Sequence, residues 1–363
     1  MIQAIADAYV ALKAALFEHA LLPVIYGVGL MAWEEHAAEW LDFALMGALA
    51  VAVSILVCAP LERLRPVEHW DGEPSTVGTD VTYTLLNRLG LLPLFAFVIL
   101  QPVEIAWAAL LARFDIIPPT LETLVPALRG HPLVTFLLYV VLLDFAEYWR
   151  HRFQHRFGWW WALHSVHHAQ RQMTFWTDDR NHLLDDIVAA LWFAGVATLI
   201  GVPPGQFPLL VLIMRVAESL SHANVRLDFG RLGRFVLVSP HFHRIHHALD
   251  HDAGMPARVH GTNFAVLLPI WDVIFGTARY ARGYPRTGDV SGSERLATGS
   301  WWGTQVEGAR RLVRTLAGRE AAVPHPDPLP LAREREPVGD AASPLPLAGE
   351  GQGEGARQNP APG

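Results

Sequence analysis

Long uncharged stretches constrain this chain more than any other feature. Leu41–Leu61 reads LDFALMGALAVAVSILVCAPL, with Asp42 at its edge as the one charge. A single bilayer crossing takes about 20 such residues. Leu89–Ala112 is a second run, interrupted by Glu104, and Pro132–Trp149 is a third, ending among Asp144 and Glu147. Ile187–Val202 and Phe207–Val216 are shorter and flank Pro203-Pro204-Gly205, which reads as a hairpin dipping into the membrane. Ala20–Trp33 suits an interfacial segment or a further helix. Hydrophobic residues make up 52% of the chain and charged residues 17%, against about a quarter charged in soluble domains. The alternative, buried helices of a large soluble protein, does not explain three long runs and a hairpin together. We therefore expect an all-α integral membrane protein with about four to five transmembrane or re-entrant helices and a cytoplasmic helical cap.

The side of the cap follows from parity. With 89–112 paired to 132–149 and 187–216 folded back on itself, three regions share one side: 62–88, the stretch from Arg150, and the chain after Glu218. Arg63, Arg65, Arg88, Arg150, Arg152 and Arg156 lie there near segment ends, so this side is expected to be cytoplasmic and the membrane to be the inner (cell) membrane. A net charge of −7 is the wrong sign for gripping nucleic acid through its phosphates. The one cysteine, Cys58, excludes a disulfide framework within the chain and any cysteine-rich zinc or iron–sulfur site.

Eighteen histidines remain, and their spacing carries the chemistry. In DFAEYWRHRFQH, His151 and His155 stand four apart, so a helix puts both rings on one face. Asp144 and Glu147 precede them on nearly the same stripe, as acceptors for imidazole N–H groups. WWWALHSVHH supplies His164, His167 and His168, and HFHRIHH repeats the H-x-x-H-H spacing with His243, His246 and His247. Parity brings all three clusters to one face of the membrane. Eight imidazoles over-supply a single ion of four to six ligands, so two ions are expected. His182 and His222, at either end of the 187–216 hairpin, are two further candidate ligands. Asp178, Asp179 and Asp272 are further candidate acceptors for ligand histidines. A zinc hydrolase fits poorly, because His151-Arg152-Phe153-Gln154-His155 lacks the glutamate base after the first histidine. A haem needs only one or two axial ligands. Two redox-active irons that activate O2 suit the ligand count better.

These motifs resemble the integral-membrane fatty acid hydroxylase and sterol desaturase superfamily. Its histidine boxes H-x3-H, H-x-x-H-H and H-x-x-H-H match His151/His155, His164/His167/His168 and His243/His246/His247. Arg180-Asn181-His182, His222-Ala223-Asn224, Asn263-Phe264 and Trp271-Asp272-Val273-Ile274-Phe275-Gly276-Thr277 match further elements, over roughly residues 40–280. On this resemblance Asn224 and Asn263 join the residues supporting the ligands. The resemblance implies a di-iron centre, O2 as co-substrate, and the eight boxed histidines as the catalytic set. It also implies a lipid substrate drawn from the bilayer and electrons from NAD(P)H through a separate reductase and carrier. No G-x-G-x-x-G follows a plausible strand, so reducing equivalents are expected from another protein. Arg171, Arg180, Arg226, Arg231, Arg234 and Arg244, around the boxes, are candidates to dock that carrier or hold a lipid head group. Hydroxylation of an unactivated C–H bond is the leading expectation, with desaturation and ether-lipid oxygenation as variants at the same site. A non-redox membrane metal-binding or transport protein is the alternative of a different class.

The expected organisation is a membrane-associated segment (1–40), a catalytic domain (41–280), a C-terminal extension (281–322) and a disordered Pro/Gly-rich tail (323–363). Trp159, Trp160 and Trp161 are expected to anchor the second box at the head-group level.

Overall fold

The computed structural model describes residues 2–69, 74–201, 207–249, 261–289 and 294–319. The Pro203-Pro204 break, His251, His260 and the tail 323–363 lie outside the described residues. No β-sheet forms among the described residues; an isolated bridge joins Ala248 and Thr287. The apolar runs among the described residues are helical, as hydrocarbon requires: a helix satisfies every backbone group within one segment.

Helix α1 runs Ile2–Leu16 and continues through a π-turn, Phe17–Leu21, into Leu22–Gly27. Helices α2 (Glu34–Leu64), α3 (Pro74–Arg88) and α4 (Leu91–Arg113) follow. Then come α5 (Pro132–Arg156), α6 (Gly158–His168), α7 (Leu183–Ile200) and α8 (Phe207–His222). Short helices α9 (Gly230–Phe235), α10 (Pro240–His246) and α11 (Ile270–Ile274) precede a final long one, α12 (Trp301–Leu316). Among the described residues, five stretches are long and apolar enough to cross a membrane: Asp7–Gly27, Met31–Leu64, Leu91–Arg113, Pro132–Arg156 and Leu183–Ile200. Their apolar side chains face outward. Phe95, Val98, Ile99, Val103, Ile105, Trp107 and Leu110 of α4 are all exposed, which in a lipid environment carries no penalty. This is an all-α integral membrane protein with several crossings.

The third apolar run extends beyond Trp149. Helix α5 begins with Pro132 at its first position, where a missing N–H costs nothing, and continues unbroken to Arg156. The first histidine box is thus the end of a helix long and apolar enough to span a membrane. The interior is polar at that end. Asp80 on α3 accepts from Gln170 Nε2 (2.6 Å) and Thr177 Oγ1 (3.2 Å) and pairs with Arg180. Arg88, at the end of α3, donates to Asp179 (2.6 Å) and pairs with Asp178. Helix α3 therefore pins the loop between α6 and α7 from below. Close approach depends on Gly47 of α2, where a Cβ would stand 1.7 Å from the Arg88 carbonyl oxygen.

Helix α12 packs along α6. Arg311 donates to Ser165 Oγ (2.8 Å), and Gly308 lets the helix approach until a Cβ there would lie 2.5 Å from His182 Cδ2. Of the three tryptophans expected to anchor the second box, only Trp159 is exposed. Trp160 and Trp161 are buried, the first donating to Asp185 (2.6 Å), the second lying 4.9 Å from the His155 ring centroid.

Candidate metal centre

Nine histidines meet at the end of the helical bundle, in two buried groups. His151, His155, His164, His168 and His246 form one; His167, His222, His243 and His247 form the other. Within each group the candidate ligand nitrogens all lie within 4.8 Å of one another. The groups adjoin, with the His168 and His247 rings stacked at 4.2 Å. Helix periodicity explains the division. In each H-x-x-H-H copy the i and i+4 rings share a face and the i+3 ring turns aside. His164 and His168 enter the first group while His167 enters the second. The other copy is reciprocal, His243 and His247 entering the second group while His246 enters the first. Helix α10 is set by Ser239, whose hydroxyl accepts from the Phe242 N–H (3.2 Å) as an N-cap, with Pro240 following.

The ring nitrogens are oriented from outside. Backbone carbonyls accept from His151 Nδ1 (Phe264 O, 2.8 Å), His246 Nδ1 (Thr262 O, 2.7 Å) and His222 Nδ1 (Glu218 O, 2.8 Å). Each of these rings then turns a lone pair on Nε2 inward, the tautomer a metal requires. Burial, reinforced by neighbouring imidazoles, holds His164, His167, His168, His243 and His247 well below the usual histidine range, so they are neutral near pH 7.

The donor set fits metal ions. His151 Nε2 and His164 Nε2 are buried with no hydrogen-bond partner. Nε2 atoms face one another at 3.1 Å (His167–His222), 2.9 Å (His222–His243), 3.1 Å (His243–His247) and 3.1 Å (His168–His246). Lone pairs directed at each other are unfavourable unless a cation lies between them. Ligands about 2.1 Å from one ion stand about 3.0 Å apart at right angles and about 3.4 Å apart at the tetrahedral angle. The observed spacings are short enough for one ion to lie between the nitrogens of each pair.

The structure does not bring His182 into either group. Its Nδ1 accepts from the Leu184 N–H (3.1 Å), capping α7, and its Nε2 donates to the Gln305 carbonyl (2.8 Å). Both nitrogens are engaged, so the expected tenth ligand is a brace between α7 and α12. His222, its apparent counterpart across the hairpin, is inside the second group.

The expected carboxylate and amide partners act differently from their sequence reading. Asp144 accepts from the Leu267 and Leu268 N–H groups (2.9 and 3.0 Å) and from Trp271 Nε1 (2.8 Å). Asp272 accepts from the Phe264 and Ala265 N–H groups, both at 2.8 Å. Asn263, at φ +58°, bonds the Phe242 and Arg279 carbonyls and the Arg279 N–H (2.7 Å). These three shape the 262–268 loop, whose carbonyls then hold His246 and His151. Glu147 pairs with Arg150 (2.8 Å), Asp178 and Asp179 with Arg88, and Asn224 with the Glu68 backbone (2.7 and 3.1 Å). The carboxylate that does face a clustered imidazole is Asp185. Its oxygens accept from Gln154 (2.8 and 2.9 Å) and Trp160 (2.6 Å), and Oδ2 lies 3.4 Å from His164 Nδ1. Sequence reading missed it. The available signal was an acid one turn after His182, two residues before the apolar run expected from Ile187.

Among the arginines expected to dock a partner, Arg180 and Arg244 are buried, paired with Asp80 and Glu68, and are unavailable for it. Arg171 pairs at the surface with Glu294, and Arg226 donates to the Pro66 and Val67 carbonyls (3.0 and 3.2 Å). Arg231 and Arg234 on α9 are exposed.

Spanning helices that end in two adjoining buried clusters of neutral imidazoles define a histidine-box membrane metalloprotein. Residues 136–277 match the fatty acid hydroxylase family. The chain belongs to that superfamily, the fatty acid hydroxylase and sterol desaturase group of di-iron membrane oxygenases. An alkylglycerol monooxygenase of Danio rerio is 30% identical over 143 residues, 39% of this chain and 30% of that protein. The ornithine lipid hydroxylase OlsE of Rhizobium tropici is 26% identical over 234 residues, 62% of this chain and 64% of the relative. The Homo sapiens alkylglycerol monooxygenase is 30% identical over 135 residues, 37% and 28% of the two chains. The chain thus spans about a third of the alkylglycerol monooxygenases and under two thirds of OlsE. No solved structure matches it.

Proposed function

We propose that the protein is a di-iron, O2-dependent oxidoreductase that hydroxylates an unactivated C–H bond of a lipid. His151, His155, His164, His168 and His246 hold one iron, and His167, His222, His243 and His247 the other. The observation carrying this reading is the convergence of nine buried imidazoles in two adjoining groups. Bound iron supplies O2 activation and the oxidising power to break a C–H bond. The chain's own part is positional. Thr262 O, Phe264 O, Glu218 O and Asp185 fix ring tautomers and orientations, burial excludes water, and neutral rings leave the metals' charge uncancelled.

Two electrons per turnover come from an external carrier served by an NAD(P)H-dependent reductase. The site faces the cytoplasm of a cell-membrane protein, a placement supported by Arg63, Arg65 and Arg156, exposed at the ends of α2 and α5. The catalytic unit spans residues 41–280, with 1–40 as a membrane-associated lead and 281–322 as an extension bracing α6. Similarity to alkylglycerol monooxygenases favours ether-lipid oxygenation as the second reading, and similarity to OlsE favours an ornithine lipid.

The test is iron content of the purified full chain together with lipid products formed under 18O2 with a competent electron donor. Two irons per chain and a lipid bearing labelled oxygen are expected. An aldehyde and an alcohol would select ether cleavage, and loss of two hydrogens desaturation. At most one tightly held ion, or no lipid change with iron and donor present, would overturn the assignment.

A further inference from the structure

Helices α9 and α11 bracket the third histidine box, and neither can cross a bilayer, being 6 and 5 residues long. They nevertheless expose large apolar side chains: Leu232 and Phe235 on α9, Val236 just after it, Val273 and Ile274 on α11, and Tyr280 a few residues on. The two helices pack on each other. Tyr280 ties them together, its hydroxyl donating to the Arg234 carbonyl (3.3 Å) and its ring lying 5.2 Å from the Arg234 guanidinium. An exposed apolar patch of this kind marks a contact with another protein or with lipid.

Depth decides between the two. Asp144 of α5 accepts from the Leu267 and Leu268 N–H groups and from Trp271 Nε1. The neighbouring Phe145 ring lies 4.9 Å from Trp271 and 6.2 Å from Phe275. Val238, two residues after Val236, donates to the Leu267 carbonyl (2.8 Å). Both short helices are therefore fastened to α5 at residues 144–145, which precede His151 by about 10 Å of helix. The start of α5 is bare and apolar, with Leu133, Val134, Leu137 and Leu138 exposed. Hydrocarbon about 30 Å thick, entered at Pro132, takes up about 20 residues of helix and ends close to His151. The attachment at 144–145 thus lies on the acyl side of that boundary, roughly 9 Å in. A helix lying in the interface buries its apolar face about 5–10 Å below the head groups, which is the depth at which α9 and α11 are held. A water-soluble protein partner could not reach a patch at that depth.

The charge pattern agrees. Arg231 and Arg234 on α9 and Arg282 beyond Tyr280 are exposed. Among the described residues of 226–249 and 261–282, Asp228 is the one exposed acid, and it stands 3.7 Å from His241. Arginines at the rim of an apolar patch suit the phosphates of anionic lipids.

We propose that α9 and α11 form an in-plane anchor in the leaflet on the histidine side of the membrane. Their apolar side chains lie among the acyl chains, and Arg231 and Arg234 lie on the phosphates of anionic lipids. The bilayer surface itself then holds the two segments that bracket His243, His246 and His247. This inference does not depend on the oxygenase reading.

The experiment uses the full chain in nanodiscs of phosphatidylcholine and phosphatidylglycerol. The native thiol is removed by Cys58→Ala, and the dye bimane is placed on Phe235→Cys or Ile274→Cys. Both positions are exposed, so neither change removes a core contact. Leu133→Cys, on the bare face of α5, is the lipid reference, and bimane on free cysteine is the water reference. At 235 and 274 the emission is expected to shift to the blue, toward the Leu133 value. Quenching by aqueous iodide should fall several-fold below that of the free adduct, and lipids spin-labelled just below the carbonyl should quench strongly. Spin-labelled phosphatidylglycerol should quench position 235 at least about twofold more than spin-labelled phosphatidylcholine at the same mole fraction. The double variant Arg231→Gln, Arg234→Gln should make the two lipids equal. Iodide quenching at either position matching the free adduct would refute the anchor. A blue shift without lipid quenching would do so as well, since the dye would then be covered by protein. Equal quenching by the two lipids in the native arginine background, or a preference that outlasts the double variant, would sink the assignment of the arginines and with it the proposal.

Discussion

Replacing Asp185 by asparagine tests how far the metal groups depend on their surroundings. The carboxylate accepts two bonds from Gln154 and one from Trp160, and Oδ2 lies 3.4 Å from His164 Nδ1. Asparagine keeps the volume but turns one acceptor atom into a donor. Gln154 adapts by flipping its amide, since its Oε1 is buried without a partner. Trp160 can keep its bond if the remaining oxygen takes the Oδ1 position. The new NH2 group then faces His164, which loses both its orienting acceptor and the nearby negative charge that favours a bound cation. Losing one such outer partner typically weakens metal binding or activity about 10- to 100-fold, or roughly 1.4–2.7 kcal/mol. The loss should fall on the group containing His164. The assay is iron retention against a graded chelator, read as two successive losses. In Asp185→Asn the first iron should leave at 10- to 100-fold lower chelator concentration, the second near its original value. Unchanged release of both irons would refute the claim that Asp185 orients the ring.

His182→Ala should keep both irons while lowering stability by roughly 1–3 kcal/mol, from a lost helix cap and the lost hydrogen bond to the Gln305 carbonyl; loss of iron would restore His182 as a ligand. His246→Ala should drop iron toward one per chain and abolish turnover, and two retained irons would contradict its membership of the first group. Gly308→Val should push α12 off α6 and cost roughly 1–3 kcal/mol, read as a lower unfolding temperature; an unchanged midpoint would contradict the close packing. For metal-free protein the sign of the pH effect is fixed by the depressed histidines. The unfolded chain binds more protons below pH 6.5, so stability is full above that pH and falls as pH drops below it. The fall is about 1 kcal/mol per imidazole over the first unit for His164, His167, His168, His243 and His247. A midpoint that stays flat from pH 7.5 to 5.5 would rule this out.

The spanning helices and the eight boxed histidines were legible because both rest on local periodicity. Uncharged runs set helix length, and i, i+4 spacing sets which rings share a face. The allocation of His167 and His246 to the opposite group depends on how α6 and α10 meet, which no local pattern encodes. His182 and His222 look alike in sequence; they differ because Gln305, more than 100 residues later, reaches one of them. Asp144 lies on the ligand stripe, yet long-range packing delivers the 262–268 loop to it before any imidazole. Asp185 was hidden because no histidine spacing points to it and it stands just outside the apolar run that begins at Ile187. Arg180 read as surface charge because its partner, Asp80, lies 100 residues upstream.

The interleaved sharing of the two H-x-x-H-H copies bears on how the centre comes into being during synthesis. Once residue 168 has left the ribosome, four of the five imidazoles of the first group exist, but only His167 of the second. The second group has His167 alone until His222 emerges and is unfinished until His247 does. The chain thus makes its two groups in order, and an ion held by the first four imidazoles would have to stay in place while the later segment brings His246 to it.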